Sequence, residues 1–124
     1  MLPVPGSLQT DFNDEILKYV DGKSCHGDLA EPVREALNAF PDVGYFCPNG
    51  KAFYYTIWYR NTVVFAAGTG MRRIALRLPD MLGEQATKDG AATQCVVPGW
   101  YDFSPFRSGF TDWLLQAYSA ADGQ

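Results

Sequence analysis

The chain has 124 residues, of which 47% are hydrophobic and 19% charged, and its formal net charge is −4. This length corresponds to a single domain over residues 1–124, and the composition excludes a disordered tail. The acidic balance argues against bulk nucleic-acid binding, because such proteins need many cations to neutralise phosphates.

Cysteine and histidine usage argues against a disulfide scaffold and against a metal site. The odd set Cys25, Cys47 and Cys95 has no CxxC spacing, and a zinc site would need His26 with nearly every cysteine. Residues 1–6 lack the basic and apolar regions of a signal peptide, and no apolar run approaches the roughly 18–20 residues that span a bilayer. We expect no metal, no cofactor, no membrane partner and a cytoplasmic location.

The first third of the chain predicts two helices after an extended leader, residues 1–9. Thr10 is a cap for the first helix, whose apolar residues recur at spacing four: Phe12, Ile16 and Val20, with Leu17 beside them. Asp28 and Glu31 have the capping-box spacing for the second helix, and Pro32 falls in its first turn. Its apolar stripe is Leu29, Val33, Leu37 and Phe40.

The apolar period then changes from about four to two. Strands are predicted at Phe46–Gly50, Ala52–Arg60, Thr62–Ala67, Met71–Leu78 and Trp100–Phe103, with a weaker signal at Gln94–Val97. Short connections predict a meander, and a short helix from Asp80 and an amphipathic helix from Thr111 complete the order. The pattern predicts an α+β fold, with an antiparallel meander sheet of about four to five strands and helices packed mainly on one face.

Positive charge is concentrated in the predicted strands. Residues 51–79 contain no acid and five bases: Lys51, Arg60, Arg72, Arg73 and Arg77. The bases either pair with acidic helices and loops, or Arg72, Arg73 and Arg77 form an anion or ligand site. Arg73 and Arg77 share one face of a strand about 13 Å apart, with Ala75 between them, while Ile74, Leu76 and Leu78 occupy the other face.

The strand Ala52–Arg60 carries large side chains on both faces. One face can pack on the helices, which leaves Tyr54, Thr56 and Trp58 as an interface or ligand platform. The alternative is that loops or the N-terminal leader cover this face.

Other motifs predict structure rather than chemistry. Cys25-His26 contains the elements of an activated thiol, but adjacent side chains point apart and no orienting carboxylate is marked, so an ordinary loop is favoured. Gly68-Thr69-Gly70 lacks the remaining residues of a phosphate-binding loop and predicts a hairpin turn. Trp100 and Trp113 are predicted core residues. No catalytic residue is predicted.

Four segments resemble the N-terminal domain of the TfoX competence regulators and the small MmcQ/YjbR-type proteins. They are Asn49-Gly50-Lys51-Ala52-Phe53, Ile74-Ala75-Leu76-Arg77-Leu78-Pro79, Pro98-Gly99-Trp100-Tyr101-Asp102-Phe103 and Asp112-Trp113-Leu114, within about residues 28–121. Val43-Gly44-Tyr45-Phe46 stands where TfoX-type domains have Met-Phe-Gly-Gly. The resemblance implies a fold more than a function, and no catalytic set carries over.

The sequence favours a non-catalytic binding or regulatory module that uses the aromatic and arginine-bearing sheet surface. Its partner would be a protein or a small anionic ligand, and a homodimer remains open. One alternative is a small-molecule-binding protein or enzyme with a pocket between the sheet and the C-terminal helix. The other is a purely structural oligomerising subunit.

Overall fold

The computed structural model describes residues 4–21, 23, 27–47, 55–68 and 73–122. Two 3-10 turns come first, at Gly6–Leu8 and Asp11–Asn13. The helices are α1 Asp14–Val20, α2 Gly27–Leu37, α3 Asp80–Lys88 and α4 Phe110–Ala120. The strands are β1 Val43–Phe46, β2 Thr56–Arg60, β3 Val63–Gly68, β4 Ile74–Arg77, β5 Ala92–Gln94 and β6 Trp100–Phe103.

The strands form one antiparallel sheet in the order β1-β2-β3-β4-β6-β5. The predicted α+β fold with a meander sheet is therefore confirmed, and β1 to β4 are the meander. The described residues form six strands rather than four to five, because short β1 and β5 occupy the two edges. β6 pairs with β4, so β5 is placed outside it.

Each face of the sheet is covered by its own apolar cluster. Helices α2, α3 and α4 pack on one face, where Val33, Ala86 and Leu114 are buried beside sheet residues. We call this the helix face. On the opposite face, which we call the N-terminal face, Leu8 and Ile16 are buried together with Val97. The predicted packing of helices mainly on one face holds for three of the four described α-helices, and α1 covers the other face.

The alternation predicted for β4 is confirmed. Ile74, Leu76 and Leu78 belong to the cluster on the helix face, whereas Ala75 belongs to the cluster on the N-terminal face. Since successive side chains of a strand point to opposite faces, Arg73 and Arg77 lie on the N-terminal side with Ala75.

Several predicted boundaries were wrong. The leader is not extended throughout, because residues 6–8 form a 3-10 turn whose Leu8 is buried. Helix α2 begins one residue before Asp28, so Pro32 lies inside it. β1 begins at Val43 rather than Phe46, and β5 ends at Gln94, where the weaker signal began. For the two strands, pairing with β2 and with β6 rather than local propensity decides where they begin and end.

The caps explain where other elements begin. The Thr10 hydroxyl accepts a hydrogen bond from the Asn13 backbone N–H at 3.3 Å and so caps the 3-10 turn Asp11–Asn13. The sequence placed Thr10 at the start of the first helix, but α1 begins only at Asp14. Gly109 precedes α4 with a φ of 88°, a left-handed conformation that favours glycine. From there α4 buries the face predicted for it: Leu114, Ala117 and Ala121 are buried, and Trp113 and Tyr118 pack against them.

Candidate functional site

The structure separates the residues of the two predicted sites. Arg72 and Tyr54 lie outside the described residues, as do Cys25 and His26. Thr56 is 5% exposed and Trp58 is 2% exposed, and Trp58 belongs to the cluster on the helix face. These two side chains are packed inside the chain, so they are not an open platform. The face opposite them is covered by the N-terminal segment.

Arg73 is paired within the chain. Its Nη1 lies 3.9 Å from Oδ2 of Asp102, and its side chain is 61% exposed. Arg60 is paired as well, since its Nε donates to Oδ2 of Asp42 at 2.7 Å and its Nη2 lies 3.8 Å from Oδ1 of Asp122. Two of the arginines from the basic segment therefore have carboxylate neighbours, as the structural interpretation of the charge pattern requires.

Asp102 is a buried carboxylate with an incomplete set of partners. Its side chain is 7% exposed, and among the described residues its Oδ1 has no hydrogen-bond partner. Burial raises its pKa above the usual range, and Arg73 opposes this shift. The folded state therefore holds the Asp102 proton more tightly than the unfolded state does.

We expect the substitution Asp102→Asn to stabilise the protein at neutral pH. Because the pKa of Asp102 is raised, its contribution to folding stability is fully present below the pKa that it has in the unfolded chain. That contribution is lost as the pH rises through the pKa that it has in the folded protein. The melting temperature of the variant should exceed that of the wild type at about pH 7, and the difference should shrink towards about pH 4. Asp89→Asn, at an exposed carboxylate, is the matched control. A variant that is less stable at neutral pH would show that the Asp102 charge is needed.

Arg77 differs from Arg60 and Arg73 because its partners among the described residues are uncharged. Its Nε donates to the Val64 carbonyl at 2.9 Å, Nη1 to the Phe12 carbonyl at 3.3 Å, and Nη2 to Oδ1 of Asn13 at 3.3 Å. No carboxylate of the described residues forms an ion pair with it. Burial lowers the pKa of Arg77 to about 10, so the side chain remains a cation at neutral pH.

Two aromatic rings enclose the guanidinium. The Phe12 ring centroid lies 4.0 Å from Cζ of Arg77, and the Trp100 centroid lies 4.8 Å from it. Trp100 is fully buried, whereas Phe12 is 46% exposed. Cation–π attraction replaces part of the hydration that the guanidinium loses, but it supplies no negative charge.

Arg77 also lines a cleft of about 350 Å³ at the end of the sheet where β4 ends and β6 begins. The other described residues of the lining are uncharged: Phe12, Phe65, Leu78, Pro79, Pro98, Gly99, Ala117, Ala120 and Ala121. The cleft thus lies between the sheet and the C-terminal helix α4. Its volume is within the range of small-molecule sites, about 300–1,000 Å³.

Asn13 holds the N-terminal side of this cleft and was missed in the sequence. Its side chain is fully buried. Its Nδ2 donates to the carbonyls of Leu8 and Thr62, and its Oδ1 accepts from the Val64 backbone N–H and from Arg77. The amide therefore positions both the second 3-10 turn, which carries Phe12, and the guanidinium. A Thr10-x-x-Asn13 cap was visible in the sequence, but the long-range partners of Asn13 were not.

Among the described residues, Cys95 lacks the features of an activated nucleophile. Burial first, and then the Asp102 charge, raise the pKa of the Cys95 thiol, which keeps it protonated at neutral pH, unlike an activated nucleophile. In the described ranges, no group of three or more His, Cys, Asp or Glu side chains could hold a metal ion. The helices described here include none long and apolar enough to cross a membrane.

A second, smaller groove of about 230 Å³ lies at the edge strand β1. It is bordered by α2 and β1, and its cation is Arg34. Arg34 lies 3.7 Å from Glu31 and 5.7 Å from the Tyr45 ring centroid. Because Arg34 already has a carboxylate neighbour, this groove serves as a reference for the cleft at Arg77.

Comparisons with protein-family models, with curated proteins and with solved structures gave no match. The resemblance to TfoX-type and YjbR-type domains therefore stays a prediction.

Proposed function

We propose that the chain is a non-catalytic binding module for a small anion with an apolar body, and that the ligand occupies the cleft at Arg77. The observation that carries the proposal is a guanidinium in an apolar cleft with no carboxylate partner among the described residues. A partly buried cation is costly unless an opposite charge meets it. A bound anion would supply that charge.

The proposal joins two hypotheses from the sequence. Arg77 was predicted to bind an anion, and a pocket was placed between the sheet and the C-terminal helix as an alternative. Arg73 contributes less to such a site, because Asp102 already lies beside it. The aromatic platform is not used, because Thr56 and Trp58 are buried.

Thermal unfolding with simple probes tests the proposal. Octanoate and octyl phosphate are the anionic probes, and 1-octanol and octylammonium are the matched neutral and cationic ones. Binding to the native state should raise its stability by about 2.7 kcal/mol at a hundredfold excess over the dissociation constant. We expect this shift with an anionic probe and a smaller or absent shift with octylammonium.

Variants locate the site. Arg77→Met removes the positive charge from the cleft. Ala120→Met fills the cleft from α4 while Arg77 stays in place, so the site can still be tested if Arg77→Met fails to fold. Both should abolish the shift. Two control variants should keep the stability shift. Arg34→Met removes a cation from the other groove, and Gln116→Met adds a methionine on the exposed side of α4. An anion-induced shift that survives Ala120→Met and Arg77→Met would contradict the proposed site.

A further inference from the structure

We propose that the anion is a monocarboxylate rather than a phosphate, and that Phe12 closes over its carboxylate where it meets Arg77. This inference rests on the proposed function and names the ligand class for the same cleft. Donor count, charge balance and the placement of one exposed ring support it independently.

The donor count of Arg77 matches a carboxylate. A guanidinium carries five N–H donors, and the three bonds that Arg77 makes to other described residues use Nε and one N–H on each terminal nitrogen. Two donors remain, one on each terminal nitrogen. A carboxylate accepts such a pair of donors in a bidentate arrangement. A phosphate has a third acceptor oxygen, and the uncharged, mostly apolar lining provides few hydrogen-bond donors for it.

The charge balance also matches a single negative charge. Among the lining residues that the structure describes, Arg77 is the one that carries a charge. A carboxylate would neutralise it. A phosphate monoester carries about −1.5 to −2 charges at neutral pH, and its second charge would meet only Phe, Leu, Pro, Gly and Ala residues, where an unpaired charge is costly.

Phe12 is placed to shield the pair from water. Its ring stacks on the open side of the guanidinium, while Trp100 fills the buried side. Phe12 also lines the cleft, and nearly half of its surface is exposed, so burial in the core does not account for its position. An ion pair strengthens as water is excluded from it. Phe12 therefore acts as a positioning residue for the carboxylate.

The apolar lining defines the rest of the ligand. Phe65, Leu78 and the alanines of α4 contribute hydrocarbon surface, which favours an aliphatic or aromatic body without further polar groups. A carboxylate at one end and a hydrocarbon body at the other would match both parts of the cleft.

Isothermal titration of the full chain with octanoate, octyl phosphate and 1-octanol tests this inference. We expect octanoate to bind at least about tenfold more tightly than either of the other two probes. Phe12→Ala should weaken octanoate binding by about tenfold and change 1-octanol binding much less. Phe106→Ala, at a more exposed phenylalanine outside the cleft, should leave both unchanged, and urea unfolding of each variant checks that it is folded.

The outcomes separate the two proposals. If octyl phosphate binds as tightly as octanoate and both need Arg77, the cleft function stands and the monocarboxylate inference is wrong. If 1-octanol binds as tightly as octanoate, Arg77 does not select the ligand and the inference is also wrong. If none of the three probes binds, the proposed function itself fails. If Phe12→Ala weakens octanoate and 1-octanol equally, the shielding role of Phe12 is wrong.

Discussion

Replacing Asn13 with alanine is expected to lower the free energy of unfolding by at least about 3 kcal/mol. The substitution removes four hydrogen bonds made by one fully buried side chain. It leaves the Val64 backbone N–H, the Thr62 carbonyl and Arg77 each short of a partner. Every buried polar group left in that state costs about 1–3 kcal/mol, out of a total stability of about 5–15 kcal/mol for a typical domain.

Urea unfolding measures this loss. Asn38→Ala, at an exposed asparagine after α2, is the matched control and should change the stability by no more than about 0.5 kcal/mol. The effect should also reach the cleft, because the guanidinium loses a hydrogen-bond partner and the turn that carries Phe12 loses its anchor. An Asn13→Ala protein as stable as Asn38→Ala would show that the amide does not hold the N-terminal segment to the sheet.

The substitution Gly83→Ala is expected to destabilise the protein by up to about 2 kcal/mol net. Gly83 lies within α3, and a Cβ there would stand 2.0 Å from two ring carbons of Tyr101. Tyr101 is buried in β6, so its ring has little room to move. Overpacking costs about 1–3 kcal/mol, and the gain of about 1 kcal/mol from replacing glycine inside a helix offsets only part of that cost.

A double-mutant cycle makes this expectation specific. In a Tyr101→Ala background the obstructing ring is gone, so Gly83→Ala should become stabilising by about 1 kcal/mol through helix propensity alone. Glu84→Ala, on the exposed side of α3, controls for the change in propensity. The same sign for Gly83→Ala in both backgrounds would mean that α3 is not seated against Tyr101.

The pattern of β4 could be predicted because local chemistry decides it. Leucine and isoleucine alternate with alanine and arginine there, and the apolar set lies on the helix face as expected. β2 offered no such signal, because it has large side chains on both faces. Which face each helix covers depends on tertiary packing: α2, α3 and α4 cover the face with Trp58, whereas α1 covers the face with Ile57.

The order of the strands beyond the meander also depends on distant residues. β6 lies between β4 and β5, and the short segments that form them have no local feature that selects this arrangement over its alternatives. The same holds for the β-bulge between Trp58 and Tyr59. Its extra residue on the partner strand is Phe65, which lines the cleft.

The candidate site was predictable in part. Arg77 was identified from the charge pattern, together with Arg73, because both occupy one strand face. The sequence did not show that Asp102 lies beside Arg73, nor that the partners of Arg77 among the described residues are carbonyls, an amide and two rings. This difference arises from contacts across the fold. It determines which of the two arginines has no carboxylate partner and so could pair with an anionic ligand.

The hydrogen bonds of Asn13 to the sheet have a consequence for the order in which the chain acquires its structure during synthesis. They reach 49, 51 and 64 residues along the chain, to Thr62, Val64 and Arg77. The ribosome therefore releases the N-terminal segment well before its binding surface exists. Ile16 and Val20 stay without their sheet partners until β3 and β4 have emerged, and closing such distant contacts slows folding. Although this segment is translated before the sheet, it is thus among the last to dock, and the cleft that it borders is completed only with α4.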